Sequence, residues 1–496
     1  MRRSRHILAA SLVLALTVAS WPASAGAARL PGDRIGGVAV SEGAHPTTIA
    51  PDVGAAAGVL VTSDGREVWG RKPLDRRAMA SITKVMTALI VLEQGRLDET
   101  VTVSAAASKV PYAVGLQAGE QVSVRTLLEL ALVASSNDAA LALAEHAGGS
   151  VPAFVELMNA RADRLGLTGT TFANPHGLDA AGHKSTAADL AVLARAAMAD
   201  AEFRRIVALR SVPLPARGSR GAATLKSTDE LLGRYEGLLG VKTGFTDDAK
   251  YSFVACAERD GVVLTAVVLG TATEGARFAD TRRLLDWGFE HVSLERVATT
   301  TETVGSCAIA GCATRAVPVR FAETTAVPVF DLGGEVTRTV ALDSQVGLPV
   351  FEGQRLGSVK LRQGEDLLAE LPVVAAEDVA SVAETVGAVP VTDYLDLTVT
   401  ARASDEPVDV AEFDDSAPVE RTVSLDPGVQ APVRAGSPLG EVRYTQGSKV
   451  IATVPVVAAS DVAAPGAIER VGIWFTRTWR KITGGPTVAT VRMAAN

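Results

Sequence analysis

Three short stretches of this chain carry residue types that could do nucleophilic chemistry together. Ser81-Ile82-Thr83-Lys84 sets a hydroxyl and an amine three positions apart, which on a helix puts both on one face. A serine hydroxyl becomes a useful nucleophile when a base takes its proton. Lysine is such a base once burial or a second cation lowers its pKa. A serine at a helix start also turns backbone N–H groups towards a developing oxyanion. Ser135-Ser136-Asn137 supplies two hydroxyls and an amide where one apolar helical run, 127–134, breaks and another begins. Lys242-Thr243-Gly244 closes a strand-like run at 238–241. It offers a cation and a hydroxyl for a carboxylate, and a glycine that lets backbone approach a ligand. Each stretch alone also reads as something ordinary: a solvated helix terminus, an N-cap, a strand end. Their order and context together point to acyl transfer.

The elements that must hold these groups follow from periodicity. Runs at 59–62 and 66–69 flank Asp64-Gly65, a hairpin turn, and a helix starts near Ser81 with Ile82, Val85, Met86, Leu89 and Leu92 as its apolar stripe. Gly95 is its stop. Helical patterns fill 124–146 and 151–165, and Ser185 reads as the N-cap of a helix over 187–198. Strands at 251–258 and 262–269 are joined by Asp260-Gly261, and a helix at 276–289 follows. Strands at both ends with helices between predict an α+β domain over 51–295, an antiparallel sheet with helices packed on it. Beyond it the chain turns β-rich and repeats itself. Residues 336–379 align without a gap on 419–462, 83 positions later, with 23 of 44 identical. Two tandem all-β sandwich-like modules, 301–380 and 384–463, are the expectation.

The three motifs resemble those of the low-molecular-weight penicillin-binding proteins, the serine-type D-alanyl-D-alanine carboxypeptidases, whose catalytic domain is DD-peptidase/β-lactamase-like. The likeness extends through Ala80-Ser81-Ile82-Thr83-Lys84-Val85-Met86-Thr87-Ala88, Ala134-Ser135-Ser136-Asn137-Asp138, Phe172-Ala173-Asn174-Pro175-His176-Gly177-Leu178 and Gly240-Val241-Lys242-Thr243-Gly244-Phe245-Thr246. It covers roughly residues 50–290. The resemblance implies that Ser81 forms an acyl-enzyme with Lys84 as proton acceptor. It implies that Ser135 relays the proton to the leaving D-alanine and that Asn137 orients Lys84 and the substrate amide. Lys242 and Thr243 would hold the terminal carboxylate beside Gly244 in the substrate site, and the N–H groups of Ser81 and Phe245 would form the oxyanion hole. Arg277 carries two readings, a carboxylate-assisting arginine or a surface helix residue. His176 and His183 read as structural. Ser136 and Lys250 stand where this family has glycine, often at the first position and usually at the second, and two recognisable β modules are unusual for it.

That resemblance implies peptidoglycan stem peptides ending in D-alanyl-D-alanine as substrate, β-lactams as inhibitors and no cofactor. Other readings differ in testable features. A D,D-endopeptidase would use the same serine but typically lack the β modules. A class A β-lactamase would need an E-x-x-x-N segment between Asp138 and Val241, which is absent. A catalytically idle wall-binding protein would not need the motif residues.

Composition sets the remaining bounds. Arg2, Arg3 and Arg5, an apolar run to Trp21 and Ala23-Ser24-Ala25 have the layout of a cleaved signal peptide over 1–25, with a flexible lead-in over 26–50. The leader holds three of the 48 basic and none of the 56 acidic residues, so its removal takes the net charge from −8 to −11. An acidic chain with no basic stripe argues against nucleic acid. Six histidines form no H-x-x-x-H pair, which leaves metal catalysis without support. Cys307 and Cys312 lie close enough in an exported chain to suggest a local disulfide, whereas Cys256 sits in an apolar run as core packing. An amphipathic helix over 466–483 precedes a tail, 484–496. Its stripe of Ile468, Val471, Phe475, Trp479 and Ile482 faces away from Arg470, Arg477, Arg480 and Lys481, with Ile473 and Trp474 intruding on the cationic side. Docking on the outer face of the cytoplasmic membrane and packing against the second module are its two readings.

Overall fold

The computed structural model describes residues 33–40, 50–217, 220–310, 312–379, 385–404 and 419–493; the expected signal segment and the acidic stretch 405–418 lie outside them. The chain divides into two compact units, one holding most of residues up to 288 and the other residues 289 onwards with two hairpin tips.

A seven-stranded sheet organises the first unit. Its order is Val38–Ala39, Asp33–Ile35, Glu67–Arg71, Ala57–Thr62, Val262–Thr271, Lys250–Arg259, Leu238–Thr246. Asp260 and Gly261 turn one hairpin with φ of +51° and +79°, the paired left-handed geometry that an Asp-Gly turn supplies. Part of the expected lead-in is structural: Asp33–Ile35 pairs with Glu67–Arg71, Ile35 is buried, and the Asp33 carboxylate binds the buried Arg71 guanidinium through two oxygens at 2.6 and 2.8 Å. A strand of three residues is too short to show a period, and the partner that holds Asp33 lies 38 positions on, so the local sequence does not announce it.

The helices are α1 (Lys84–Glu93), α2 (Val124–Leu132), α3 (Asn137–Gly148), α4 (Val151–Arg164), α5 (Ala187–Met198), α6 (Ala201–Val207), α7 (Glu274–His291) and α8 (Ala467–Thr483). A single 3-10 turn, Ala80–Thr83, leads into α1. The expected stripe on α1 understates its burial, because every residue from Lys84 to Leu92 is buried. It touches α2, α3, α4, α5 and α6, so it is the central helix of the cluster. Serine caps open the neighbours: Ser136 accepts Ala139 N–H at 3.3 Å, and Ser150 accepts Ala153 N–H at 3.3 Å. Thr186, not Ser185, caps α5, accepting Asp189 N–H at 3.0 Å. Ser185 is drawn off instead by a backbone bridge to Arg77 and a hydroxyl contact with Thr170.

In the second unit the repeat of sequence is a repeat of structure. Strands Val336–Leu342, Arg355–Gln363 and Asp366–Ala375 recur as Val419–Leu425, Pro438–Gln446 and Lys449–Ala458, in the same order within two six-stranded sheets. Leu342 pairs with Gly357, and Leu425 with Gly440. Both glycines have left-handed φ, and a Cβ on either would lie 2.2 or 2.1 Å from a carbonyl oxygen on the facing strand. The strand Val292–Ala298 spans the expected domain end at 295. It pairs with Thr325–Phe330, and Val297, Ala298 and Val327 join the core of the first module. The copies differ at one joint: Phe351 of the first module is buried in the core of the second, where the matching position in the second module is the exposed Arg434.

The expected Cys307–Cys312 bridge is not formed. Cys307 is a buried free thiol whose S–H donates to the Leu356 carbonyl at 3.8 Å. Hairpin register sets it opposite Val317, whereas Cys312 pairs with Ile309. The side chain of Cys312 lies outside the described residues. Cys256 is buried in the sheet.

Helix α8 runs between Gly466 and Gly484, with Glu469 closing its first turn on the Gly466 N–H. Its cationic face meets the second module. Arg477 donates to the Thr392 carbonyl at 2.7 Å, and Arg480 grips both oxygens of Asp396 at 2.9 and 2.8 Å. The apolar stripe points outward, from Ile468 at 91% exposed to Val471 at 63%.

Candidate active site

The turn before α1 is set by backbone conformation. Ala80 has a φ of +50°, a left-handed geometry costing a non-glycine residue roughly 1–2 kcal/mol. Two glycines make room for it. A Cβ on Gly177 would lie 2.0 Å from the Ala80 carbonyl oxygen, and one on Gly244 would lie 3.0 Å from that of Met79. The segment 174–178 and the strand Leu238–Thr246 therefore close on the turn from two sides. Ser81 is thereby presented at the start of a buried helix.

Lys84 is fully buried, and its ammonium nitrogen lies 2.8 Å from Ser81 Oγ, 2.7 Å from Asn137 Oδ1 and 2.6 Å from the His176 carbonyl. Asn137 cannot present its other face, because its Nδ2 donates to the Pro111 carbonyl at 2.7 Å. A neutral amine has two N–H bonds, and the two oxygens of Asn137 and His176 accept both. Its lone pair is then left for the Ser81 proton. Burial drives the Lys84 pKa well below its usual range, and the charge of Lys242 pushes the same way, opposed by Asp138.

Lys242 is also buried, and donates to Ser135 Oγ at 2.9 Å and to the Thr243 carbonyl at 3.1 Å. Burial first, then the charge of Arg277, lowers it to about 7 against the opposing pull of Asp229. Ser135 sits at a φ of +59° between α2 and α3. The pairing of Lys242 with Ser135 joins two motifs more than a hundred residues apart. Thr243 shares a 2.6 Å hydroxyl contact with Thr228, which stands outside the three motifs, since a lone threonine in a loop gives no sequence signal.

One cavity of about 490 Å³ opens here, with Ser81, Ser135, Asn137, Thr243, Gly244 and Arg277 on its wall and Tyr112, Phe245 and Tyr251 at its aromatic side, and the buried Lys84 and Lys242 stand behind it, bonded to Ser81 and Ser135. That volume suits a small peptide terminus. Arg277 is buried, so its surface reading fails. It donates to the Gly244 carbonyl at 3.3 Å and to Glu274 at 2.7 Å, and its Nε–H is buried with no partner among the described residues. Phe245 stacks on Tyr251 with ring centres 4.4 Å apart. His176 lends its backbone carbonyl to Lys84, and burial lowers its ring to about 4.

A family model for D-alanyl-D-alanine carboxypeptidase matches residues 44–273, and one for the C-terminal domain of penicillin-binding protein 5 matches residues 385–464. The D-alanyl-D-alanine carboxypeptidase DacF of Bacillus subtilis is 32% identical over 338 residues, 65% of this chain and 85% of the relative. The chain belongs to the D-alanyl-D-alanine carboxypeptidases. DacB2 of Mycobacterium tuberculosis, another carboxypeptidase of that description, is 38% identical over 48% of this chain and 84% of its own length. Among solved structures, penicillin binding protein 5 from Haemophilus influenzae matches with a TM-score of 0.56 and 27% identity, over 67% of this chain and 99% of that one.

Within this family the two departures have local explanations. Ser136 is not in a glycine conformation: its φ is −64°, and its hydroxyl caps α3 while bonding the Asp138 carboxylate. Lys250 does hold one. With φ at +54°, it keeps the turn after Leu238–Thr246 in the geometry a glycine would adopt without strain.

Proposed function

We propose that this carboxypeptidase removes the terminal D-alanine from peptidoglycan stem peptides through an acyl-enzyme on Ser81. The observation that carries the reading is the 2.8 Å contact between Ser81 Oγ and a buried Lys84 amine whose other hydrogen-bonding directions are occupied. Lys84 takes the hydroxyl proton as Oγ attacks the carbonyl carbon of the penultimate D-alanine. N–H groups of Ser81 and Phe245 receive the oxyanion. The C–N bond breaks, and the leaving amine collects a proton through Ser135. Water then attacks the ester, Lys84 accepts its proton, and the shortened peptide leaves as a carboxylate with Ser81 restored. Lys242, Thr243 and Arg277 hold the substrate's terminal carboxylate, so the site selects a free chain end. β-Lactams acylate the same serine, because their ring amide and carboxylate match the substrate's peptide bond and terminus.

Release of one D-alanine from a D-alanyl-D-alanine-ended peptide tests the reading, together with labelling by a fluorescent penicillin. Ser81→Ala is expected to abolish both, and equal labelling of the variant sinks the nucleophile assignment.

The enzyme works outside the cytoplasmic membrane, and α8 is the segment that docks it on that membrane's outer face. Its support is the outward apolar stripe of Ile468, Val471, Phe475, Trp479 and Ile482. No described helix is long and apolar enough to cross a bilayer. The expected division of labour changes in one respect. Arg477 and Arg480 serve the second module, which leaves Arg470 and Lys481 as the helix cations for anionic headgroups. Removing residues 466–496 is expected to abolish co-sedimentation with anionic vesicles, and undiminished binding refutes the anchor.

A further inference from the structure

We infer that Thr83 and His183 form a positioning relay that fixes the Ala80 carbonyl, and through it the backbone that presents Ser81.

Ala80 is the strained residue of the turn, at φ +50°, and its neighbour is the nucleophile. Strain of this kind persists where the surroundings over-determine it. The determinant here is a chain of three hydrogen bonds running one way. Ala173 N–H donates to His183 Nδ1 at 2.9 Å. That bond makes Nδ1 an acceptor, so the ring proton of the neutral imidazole sits on Nε2. Nε2 lies 2.8 Å from Thr83 Oγ1 and donates to it. The Thr83 hydroxyl, with an acceptor lone pair filled, then has its proton free for the Ala80 carbonyl, 2.8 Å away. Thr83 and His183 are both buried, so water does not compete for the bonds from His183 to Thr83 and from Thr83 to Ala80. Neither residue lines the cavity, which places them behind the turn and not among groups that touch substrate.

Direction matters in this arrangement. A charged His183 would turn an Nδ1–H against the Ala173 N–H and break the chain at its first link. Burial holds the imidazole neutral, lowering it to about 4, while Asp179 works against that shift. Gly177 leaves no space for the Ala80 carbonyl to swing, since a Cβ there would already overlap it. The relay and the glycine fix the carbonyl from two directions, and the Ser81 N–H offered to the oxyanion belongs to that same peptide unit. Losing the relay therefore acts on acylation more than on binding.

The inference rests on Ser81 as nucleophile, and the two are tested apart. Labelling of Ser81→Ala by fluorescent penicillin addresses the nucleophile alone. The relay is tested by the acylation rate constant and the preceding dissociation constant, measured well below the melting temperature of each variant. Thr83→Val, nearly isosteric but without the hydroxyl, is expected to slow acylation tenfold or more with the dissociation constant changed less than threefold. Thr83→Ser is expected to restore the rate. His183→Gln can still reach Thr83 with an N–H, whereas His183→Asn keeps only the partner of Ala173. The glutamine variant is therefore expected to acylate at least fivefold faster than the asparagine one. Acylation of Thr83→Val within twofold of wild type overturns the relay. If Thr83→Val does not fold, the histidine pair decides, and equal rates for the two overturn it.

Discussion

The Asp138 carboxylate accepts the Leu116 backbone N–H at 2.9 Å, from the position next to Asn137. It also accepts N–H groups of Gly115 at 3.0 Å and Val114 at 3.3 Å. This one side chain ties residues 114–116 to α3, three residues after Pro111, whose carbonyl orients Asn137. Asp138→Asn preserves shape but turns an N–H donor onto a set of donors. The expected cost is roughly 1–3 kcal/mol of stability, read from urea unfolding. A fall in acylation rate should accompany it, since Asn137 loses the partner that aims Oδ1 at Lys84. A variant as stable and as fast as wild type removes the link.

The pH dependence of peptide binding follows from Lys242. Its pKa is depressed to about 7, so it is a cation below that value and loses charge above it. The substrate's carboxylate is charged throughout. KM for a D-alanyl-D-alanine peptide is expected to be flat below about pH 7 and to rise above it. The chemical step runs the other way, because Lys84 must be neutral to accept the serine proton. A KM independent of pH between 6 and 9 would remove Lys242 from carboxylate recognition.

How much of this was legible in the chain varies with the range over which each signal acts. Ser81 and Lys84 share one helical turn, and a cap within Ser135-Ser136-Asn137 is read from a few neighbours. The repeat at an 83-residue offset shows itself by identity alone. Contacts made across the fold leave no such mark. Nothing around Thr83 announces that its hydroxyl meets His183, a hundred positions on, and nothing around Arg480 points to Asp396. Ser185 and Thr186 are equally good caps by type, and the pull of Arg77 and Thr170 on Ser185 decided between them. The cysteines misled because closeness in sequence says nothing about register across a hairpin.

Acid sensitivity is set in part by His176 and His183, each lowered from 6.5 to about 4 chiefly by burial. Neutral when folded, they bind protons on unfolding at any pH between those values, so the unfolded state gains as pH falls. Stability from this source is complete above about pH 6.5 and is lost progressively down to about 4. The size is at most on the order of 3 kcal/mol per histidine. Urea unfolding at pH 7 and pH 4.5 checks the sign. His183→Gln should show a shallower loss than wild type, and an identical slope argues against the buried neutral ring.

Lys250 offers a stabilising change. At φ +54° a lysine bears a strain that glycine does not, and its side chain is exposed. Against this, glycine adds backbone freedom to the unfolded chain. Relief of roughly 1–2 kcal/mol against a loss of about 0.5–1 leaves Lys250→Gly neutral to slightly stabilising. Thermal unfolding of the two proteins reads it, and a fall in melting temperature of several degrees would contradict it.

Phe351 makes the last prediction, because it belongs by sequence to one module and by packing to the other. Its ring belongs to the second core, together with Val389, Val399 and Leu439. The second module, which receives the ring, carries at the matching position Arg434, which is exposed. Stacked repeats behave this way when one contributes a side chain to its neighbour's core. Phe351→Ala removes a buried ring and is expected to cost about 3–5 kcal/mol. That loss should fall on the second module and not on the catalytic unit. Limited proteolysis is expected to cut first within residues 385–463, while penicillin labelling of Ser81 persists at the wild-type rate. Equal resistance to protease in Phe351→Ala and wild type would show that the ring does not couple the copies.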